Sequence, residues 1–326
     1  MTADASGPVL VTGASGFIGT ALLPVLVARY GDRRIVAAGG RSPPARLPEG
    51  VEGAALDLND PQGVRDLVGR LAPSTVIHLA ALSSVQQSAV DPMAVWSANM
   101  LGVVDLVQAV QAARPDALFV HASSSEVYGQ SFLSGEPLTE DAPLQPGNPY
   151  ARSKAACEMV LRDICRPDGR LVIVRTFNHI GPGQDERFVA ASFAAQIARI
   201  EAGAAEPVIR VGDLSAERDF GDIQDLVRAY DAILAHAGDL PPVSVFNVCS
   251  GVTRPVGELL ATFKGMARTP VEIEIDPTRL RPQSIPRAAG SCEALTAATG
   301  WRPKVPFEVS LERILDAWRA LAVPND

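Results

Sequence analysis

Tyr150 and Lys154 stand four residues apart, a spacing that places both side chains on one face of a helix. A free phenol has a pKa of about 10, too high for ready loss of its proton at neutral pH, and an adjacent ammonium favours the phenolate. Such a pair can exchange a proton with an alcohol or a ketone. Lys154 is one of three lysines, with Lys264 and Lys304, in a chain that otherwise uses arginine. A compact charge with three donors suits the task. Plain surface helices carry the same spacing, so the pair needs neighbours. The segment His121-Ala-Ser-Ser124-Ser125-Glu126-Val-Tyr128-Gly129 offers them. Ser124 can donate to a carbonyl oxygen, and Glu126 is the carboxylate of the cluster. The plainer alternative is that these hydroxyls cap a strand end.

A second chemical signal is Gly13-Ala-Ser15-Gly16-Phe17-Ile18-Gly19, between an apolar strand and an apolar helix. Gly13 can make the tight turn, Gly16 admits a pyrophosphate close to the backbone, and Gly19 allows close helix packing. Amides at the helix start then meet the phosphate charge. The alternative is a packing turn with no dinucleotide. After the second strand, where an acid normally holds the adenosine ribose, this chain has Gly39-Gly40-Arg41-Ser42. Arg41 and Ser42 can receive a 2′-phosphate, which favours NADPH, with NADH as the alternative. Asp57 either accepts from the adenine amino group or caps the turn before Asn59. With a nicotinamide present, Lys154 would also hold its ribose.

These residues need a frame. Short apolar runs at 8–12, 35–38, 54–58, 75–79, 117–121 and 171–175 read as strands, alternating with helical stretches at 17–29, 60–71 and 92–112. Pro24 is expected to distort the first helix. The alternation predicts parallel βαβ units in a doubly wound, Rossmann-type α/β fold, with the ligand crevice beyond the carboxyl ends of the strands. After Asn178 the rhythm changes: helices at 188–201, 223–235 and 311–320, strands at 207–211, 245–248 and 271–275, and a loop at 277–287. A smaller, discontinuous C-terminal substrate domain is expected, with 1–176 and 222–250 binding the dinucleotide and 177–221 and 251–326 binding substrate.

The 326 residues are 47% hydrophobic, enough for a large core, and carry a net charge of -8, which argues against a nucleic-acid-coating protein. The four cysteines form no CxxC pair and the four histidines no metal cluster. No basic region followed by an apolar run opens the chain, and no apolar run reaches about 18 residues, so the expectation is a cytoplasmic protein with no membrane partner.

Taken in order, Gly13 to Gly19, His78-Leu-Ala-Ala81, Ser123 to Gly129, Tyr150 with Lys154, and Arg175-Thr-Phe-Asn178 resemble the extended short-chain dehydrogenase/reductase family. The later half is similar to the bacterial GDP-4-dehydro-6-deoxy-D-mannose reductases, in Phe177-Asn-His-Ile-Gly-Pro-Gly-Gln184, Gln196 to Gly203, Arg218-Asp-Phe, Phe246 to Gly251 and Asp276-Pro-Thr-Arg279-Leu-Arg281-Pro282. The resemblance implies coenzyme contacts at Gly13, Ser15, Gly16, Phe17, Ile18, Gly19, Arg41, Asp57, Leu58, Leu79, Ala80, Ala81, Tyr150 and Lys154. It implies substrate contacts at Ser83, Ser124, Ser125, Glu126, Asn178, Gln184, Arg199, Arg218, Arg279 and Arg281. Ser124, Tyr150 and Lys154, with Glu126, would be catalytic. The implied substrate is a GDP-4-keto-6-deoxyhexose, reduced at C4, and the implied assembly a homodimer through four helices, two from each copy: the 92–112 helix and the one bearing Tyr150. Ser125-Glu126 does not exclude a dehydratase, and changes in the tail leave the C4 epimer open. A silent dinucleotide-binding sensor or scaffold is the non-enzymatic alternative.

Overall fold

The computed structural model describes residues 7–83, 85–165, 169–280 and 285–322. Its first six strands are β1 (Val9–Thr12), β2 (Ile35–Gly39), β3 (Val51–Ala55), β4 (Thr75–His78), β5 (Leu118–Ser124) and β6 (Arg170–Thr176). Three strands of a second lobe follow, β7 (Asn178–Ile180), β8 (Val208–Val211) and β9 (Glu217–Asp222), before β10 (Val243–Val248) returns to the first sheet. That sheet runs β10-β6-β5-β4-β1-β2-β3, every pair parallel. Its strands are apolar on both faces because helices cover both. In β1, Val9 and Val11 enter one core while Leu10 enters the other.

The helices are α1 (Phe17–Arg29), α2 (Pro61–Leu71), α3 (Val85–Val90), α4 (Pro92–Trp96), α5 (Gly102–Ala113), α6 (Pro149–Ile164), α7 (Val189–Glu201), α8 (Ile223–His236), α9 (Val256–Met266), α10 (Glu293–Thr299) and α11 (Phe307–Ala322). Helices α1 and α8 cover one face of the sheet, and α2, α5 and α6 the other. A π-helical turn, Ser97–Leu101, joins α4 to α5 into one helix, Pro92–Ala113. By length and composition alone it could cross a bilayer, but its inner face is buried against α2 and α6, as befits a core helix.

The second lobe pairs β9 with β7, β11 (Thr253–Pro255) and β13 (Arg287–Ala288), and pairs β8 with β12 (Glu272–Ile275). Helices α7, α9 and α11 share its own core around Phe193, Phe263 and Leu311. Leu295 of α10 and the following Trp301 pack instead into the α1–α8 core of the first lobe.

Several expected boundaries move. The third strand is Val51–Ala55 rather than 54–58, because its register on β2, Ile35 opposite Val51, is what defines an edge strand with few apolar residues. The fifth runs on to Ser124, so the serines end the strand rather than follow it. Pro24 lies inside α1, which continues to Arg29. The final helix starts at Phe307, four residues before the expected 311.

Candidate active site

The strand order reverses between β1 and β4, and the crevice there is where α/β sheets take ligands. Gly13 follows β1 with φ +67°, and a Cβ on it would lie 2.5 Å from the amide nitrogen of Ala80. No other residue type fits this turn without moving the loop after β4. Gly16 precedes α1 with no side-chain cap, and no acid occupies the first turn. The first amides of α1 therefore remain available to an anion. Ser15, Gly16 and Phe17 line a cleft of about 290 Å³, closed opposite by Pro182, Gly183, Ile223, Gln224 and Arg313. Phe17 stacks on His179 of β7 with ring centroids 5.5 Å apart. Uncapped amides beside a permissive turn fit a dinucleotide diphosphate.

Around the expected coenzyme positions, Leu79, Ala80 and Ala81 are half-buried in the loop after β4, with Ser83 exposed at its far end. Leu58 rests on Gly102 at the start of α5. Ile18 lies in the first turn of α1 and Gly19 is buried against Ala14. Asp57 accepts from the amide and side chain of Asn59 at 3.0 and 3.2 Å, so it caps that turn. Arg41 is solvent-exposed and reaches Asp57 at 3.4 Å through Nε.

Asn148 caps α6, accepting from Ala151 N at 2.8 Å, and Pro149 takes the first helical position. That start places Tyr150 and Lys154 inward, both buried. Glu158, a further four residues on, is buried on the same face. The Tyr150 hydroxyl lies beside that of Ser124, which ends β5. Ser124 also accepts from Glu126 N at 3.2 Å, so the strand-capping role and the site role coexist. Ser125 is buried beside it. Glu126 is exposed and accepts from Asn148 Nδ2 at 3.1 Å.

Burial pushes the Tyr150 phenol up to about 12, outweighing the Ser124 hydrogen bond, and Glu126 adds to the rise. The Lys154 ammonium is aimed instead at the carbonyl of Ala122, 2.7 Å away. Burial pulls Lys154 down to about 8, against the pull of Cys157 and Glu158.

Beneath the site lies a polar layer in which Asn99, Ser153 and Glu158, outside the sequence motifs, join motif residues. Asn99, in the π-helical turn, accepts from Leu82 N at 2.8 Å and donates to Leu82 O at 3.1 Å and Ser153 Oγ at 3.2 Å. Ser153 donates in turn to Tyr150 O at 2.8 Å. The loop after β4 is thus tied to the helix that bears Tyr150. Glu158 accepts from Ser123 Oγ at 2.5 Å and from Arg175 Nη2 at 2.7 Å. Arg175 also donates to Tyr128 Oη at 2.9 Å, and Tyr128 to Asn247 Oδ1 at 2.7 Å. His78 shares a hydrogen bond of 2.7 Å with Thr12 and stacks on His121, ring centroids 5.5 Å apart.

The substrate-side residues divide. Asn178 is exposed on β7, paired with Phe220 of β9, two residues from the half-buried Arg218. The Asp219 carboxylate accepts from Ser250 N at 2.7 Å and Gly251 N at 2.8 Å. Gln184 is buried, and its amide donates to His179 O at 2.8 Å. The guanidinium of Arg199, at the end of α7, is taken by Glu186. Arg279 pairs with Asp276 at 3.4 Å and reaches Ser192 at 3.3 Å. Arg281 lies outside the described residues. Among the described residues no cluster of three or more metal-ligating side chains occurs.

Residues 10–314 match the family model described as GDP-mannose 4,6 dehydratase. The chain is 38% identical over 313 residues to the GDP-6-deoxy-D-mannose reductase of Pseudomonas aeruginosa, covering 95% of this chain and 96% of the relative. It is 30% identical to the UDP-glucose 4-epimerase of Neisseria gonorrhoeae, covering 95% and 96%. Among solved structures, RMD from Pseudomonas aeruginosa complexed with NADPH superposes with a TM-score of 0.81 at 35% identity, covering 97% of this chain and 99% of that one. The UDP-glucose 4-epimerase of Thermus thermophilus, in complex with NAD, gives 0.83 at 30% identity, covering 96% and 99%.

Proposed function

The chain belongs to the GDP-mannose 4,6-dehydratase family of extended short-chain dehydrogenases/reductases, and within it we propose a nucleotide-sugar 4-ketoreductase. The reaction is NADPH-dependent reduction of GDP-4-dehydro-6-deoxy-D-mannose to GDP-6-deoxy-D-mannose, with NADH as the weaker coenzyme. The observation that carries it is the placement of buried Tyr150 and Lys154 on α6 beside the end of β5 that bears Ser124, with Lys154 Nζ bonded to Ala122 O at 2.7 Å. A ketone entering that crevice meets two hydroxyl donors. The bound coenzyme supplies hydride to C4. Ser124 orients the carbonyl oxygen, and Tyr150 gives that oxygen its proton as negative charge develops. An alkoxide is far more basic than a phenolate, so even a phenol near 12 transfers its proton downhill. Lys154 then stabilises the phenolate left behind and holds the nicotinamide ribose. Glu126, engaged by Asn148, orients sugar hydroxyls and takes no proton from carbon.

Segments 1–176 and 222–250 serve the dinucleotide, and 177–221 and 251–326 the sugar nucleotide, with Asn178 and Arg218 on adjacent strands of the second lobe as the anchors. Arg41 receives the 2′-phosphate by exchanging Asp57 for it. The copies pair through α4–α5 and α6, where Met93, Leu101 and Met159 leave apolar surface uncovered. Sedimentation at micromolar concentration reads a dimer; a monomer rejects that interface.

Replacing Tyr150 by Phe tests the site. Turnover falls by about 10²–10⁴-fold with sugar-nucleotide binding retained; unchanged turnover removes Tyr150 from the chemistry. NMR of the product reads the C4 epimer, and a talo product revises the face of attack.

A further inference from the structure

The cleft beside the glycine turn is walled by both lobes. Ser15, Gly16 and Phe17 form one side, and Arg313 reaches it from α11 of the second lobe. Among the described residues that line it, Arg313 is the one charged side chain and none is acidic. Arg313 lies outside the sequence motifs. The segment Gly13 to Gly19 carries no cation, so on its own it offers an anion only amides and a hydroxyl.

The helix that bears Arg313 is firmly placed. Ser310 donates to Asp222 Oδ2 at 2.6 Å and so ties α11 to the start of α8. Both residues are buried. Arg313, three residues on, shares that face of α11. Its guanidinium nevertheless stays 38% exposed. Asp222 does not saturate it: Nη1 lies 3.6 Å from Asp222 Oδ2, outside hydrogen-bond range. Both oxygens of that carboxylate are already served, Oδ2 by Ser310 and Oδ1 by the amide of Gln224 at 2.6 Å. Asp222 therefore keeps the guanidinium beside the cleft and leaves its donors for another acceptor.

We propose that Arg313 is a coenzyme-binding residue, a cation that the second lobe contributes to the diphosphate held at the glycine turn. This rests on the reading of the cleft as the coenzyme site. A permanently charged planar fork, set across the cleft from uncapped amides, suits the negative charge of a diphosphate. The diphosphate is common to NADPH and NADH, so Arg313 serves both alike, whereas Arg41 is assigned to the 2′-phosphate alone. The contact also links the lobes through the coenzyme, because α11 shares the second core with α7 and α9.

The test follows coenzyme fluorescence as NADPH or NADH is titrated into the full chain, with no sugar nucleotide present and no turnover. Arg313→Gln is expected to raise Kd about tenfold for both coenzymes, the loss of one charge-assisted contact. Arg313→Lys, which keeps the charge, is expected to recover most of that loss. The free Arg313→Gln protein is expected to melt with the unaltered chain, because Asp222 keeps Ser310 and Gln224. Unchanged Kd values in Arg313→Gln overturn the proposal. A rise confined to NADPH overturns it too, by moving Arg313 to the 2′-phosphate. An equal rise in Arg313→Lys, or a lowered melting temperature in both variants, assigns Arg313 to the fold and overturns its role as a charge. If the unaltered chain takes up neither coenzyme, the reading of the cleft itself falls.

Discussion

The ammonium of Lys154 donates to the backbone carbonyl of Ala122 across 2.7 Å. One bond thus ties α6 to the strand that ends in Ser124, and it holds the charge within a buried layer. Burial lowers Lys154 to about 8. The charged form is the one that supports Tyr150, so the site loses its working form as pH rises through 8. In kcat/KM for the coenzyme, which reports the free enzyme, we expect a fall above about pH 8. A profile flat to pH 10 contradicts this role of the ammonium.

Glu158 and Arg175 form a buried ion pair that also holds Ser123, one residue from Ser124. Glu158→Ala strands the guanidinium without its partner. The expected loss is about 3–5 kcal/mol in chemical denaturation. A loss under about 1 kcal/mol contradicts the pair's structural weight.

His78 and His121 are fully buried, and burial with the nearby Lys154 charge holds both neutral, His78 down to about 3 and His121 well below its usual value. In the unfolded chain both bind protons below about 6.5. The unfolded state then holds more protons than the folded one, so stability declines as pH falls below about 6.5. The slope reaches about 1.4 kcal/mol per pH unit for each histidine. Replacing His121 by Phe should flatten the acid limb of a melting-temperature profile; an unchanged limb places the acid sensitivity elsewhere.

Arg41 is exposed and weakly held by Asp57, so its removal leaves the fold intact. Arg41→Ala is expected to raise KM for NADPH about tenfold, the loss of one charge-assisted contact, and to leave KM for NADH unchanged. Equal effects on both coenzymes reject a 2′-phosphate contact.

Much of this was legible because the signals were local. The βαβ alternation fixed the sheet, Gly13 lay where its turn had to be, and Tyr150 and Lys154 share the buried face of α6 as their spacing implied. The edge strand β3 shifted because an edge strand is bounded by its partner's register rather than by its own apolar pattern. Glu158 was within reach of the same reasoning, since it continues the i, i+4 face of Tyr150 and Lys154. Asn99 gave a signal too, a polar residue within an apolar helix, but its contact with Leu82 depends on a π-helical turn that periodicity does not register. For Arg199 and Gln184 the sequence could not supply the partners. Their types suit a phosphate or a sugar, and only the fold reveals that Glu186 holds one and the His179 carbonyl the other.

The most direct measurement is the stoichiometry of coenzyme consumption with purified GDP-4-dehydro-6-deoxy-D-mannose. A reductase whose Tyr150 donates its proton to the reduced ketone consumes one NADPH for each sugar nucleotide converted. Conversion of a nucleotide sugar with no net loss of NADPH, the behaviour of an enzyme that regenerates its coenzyme within each cycle, contradicts the account.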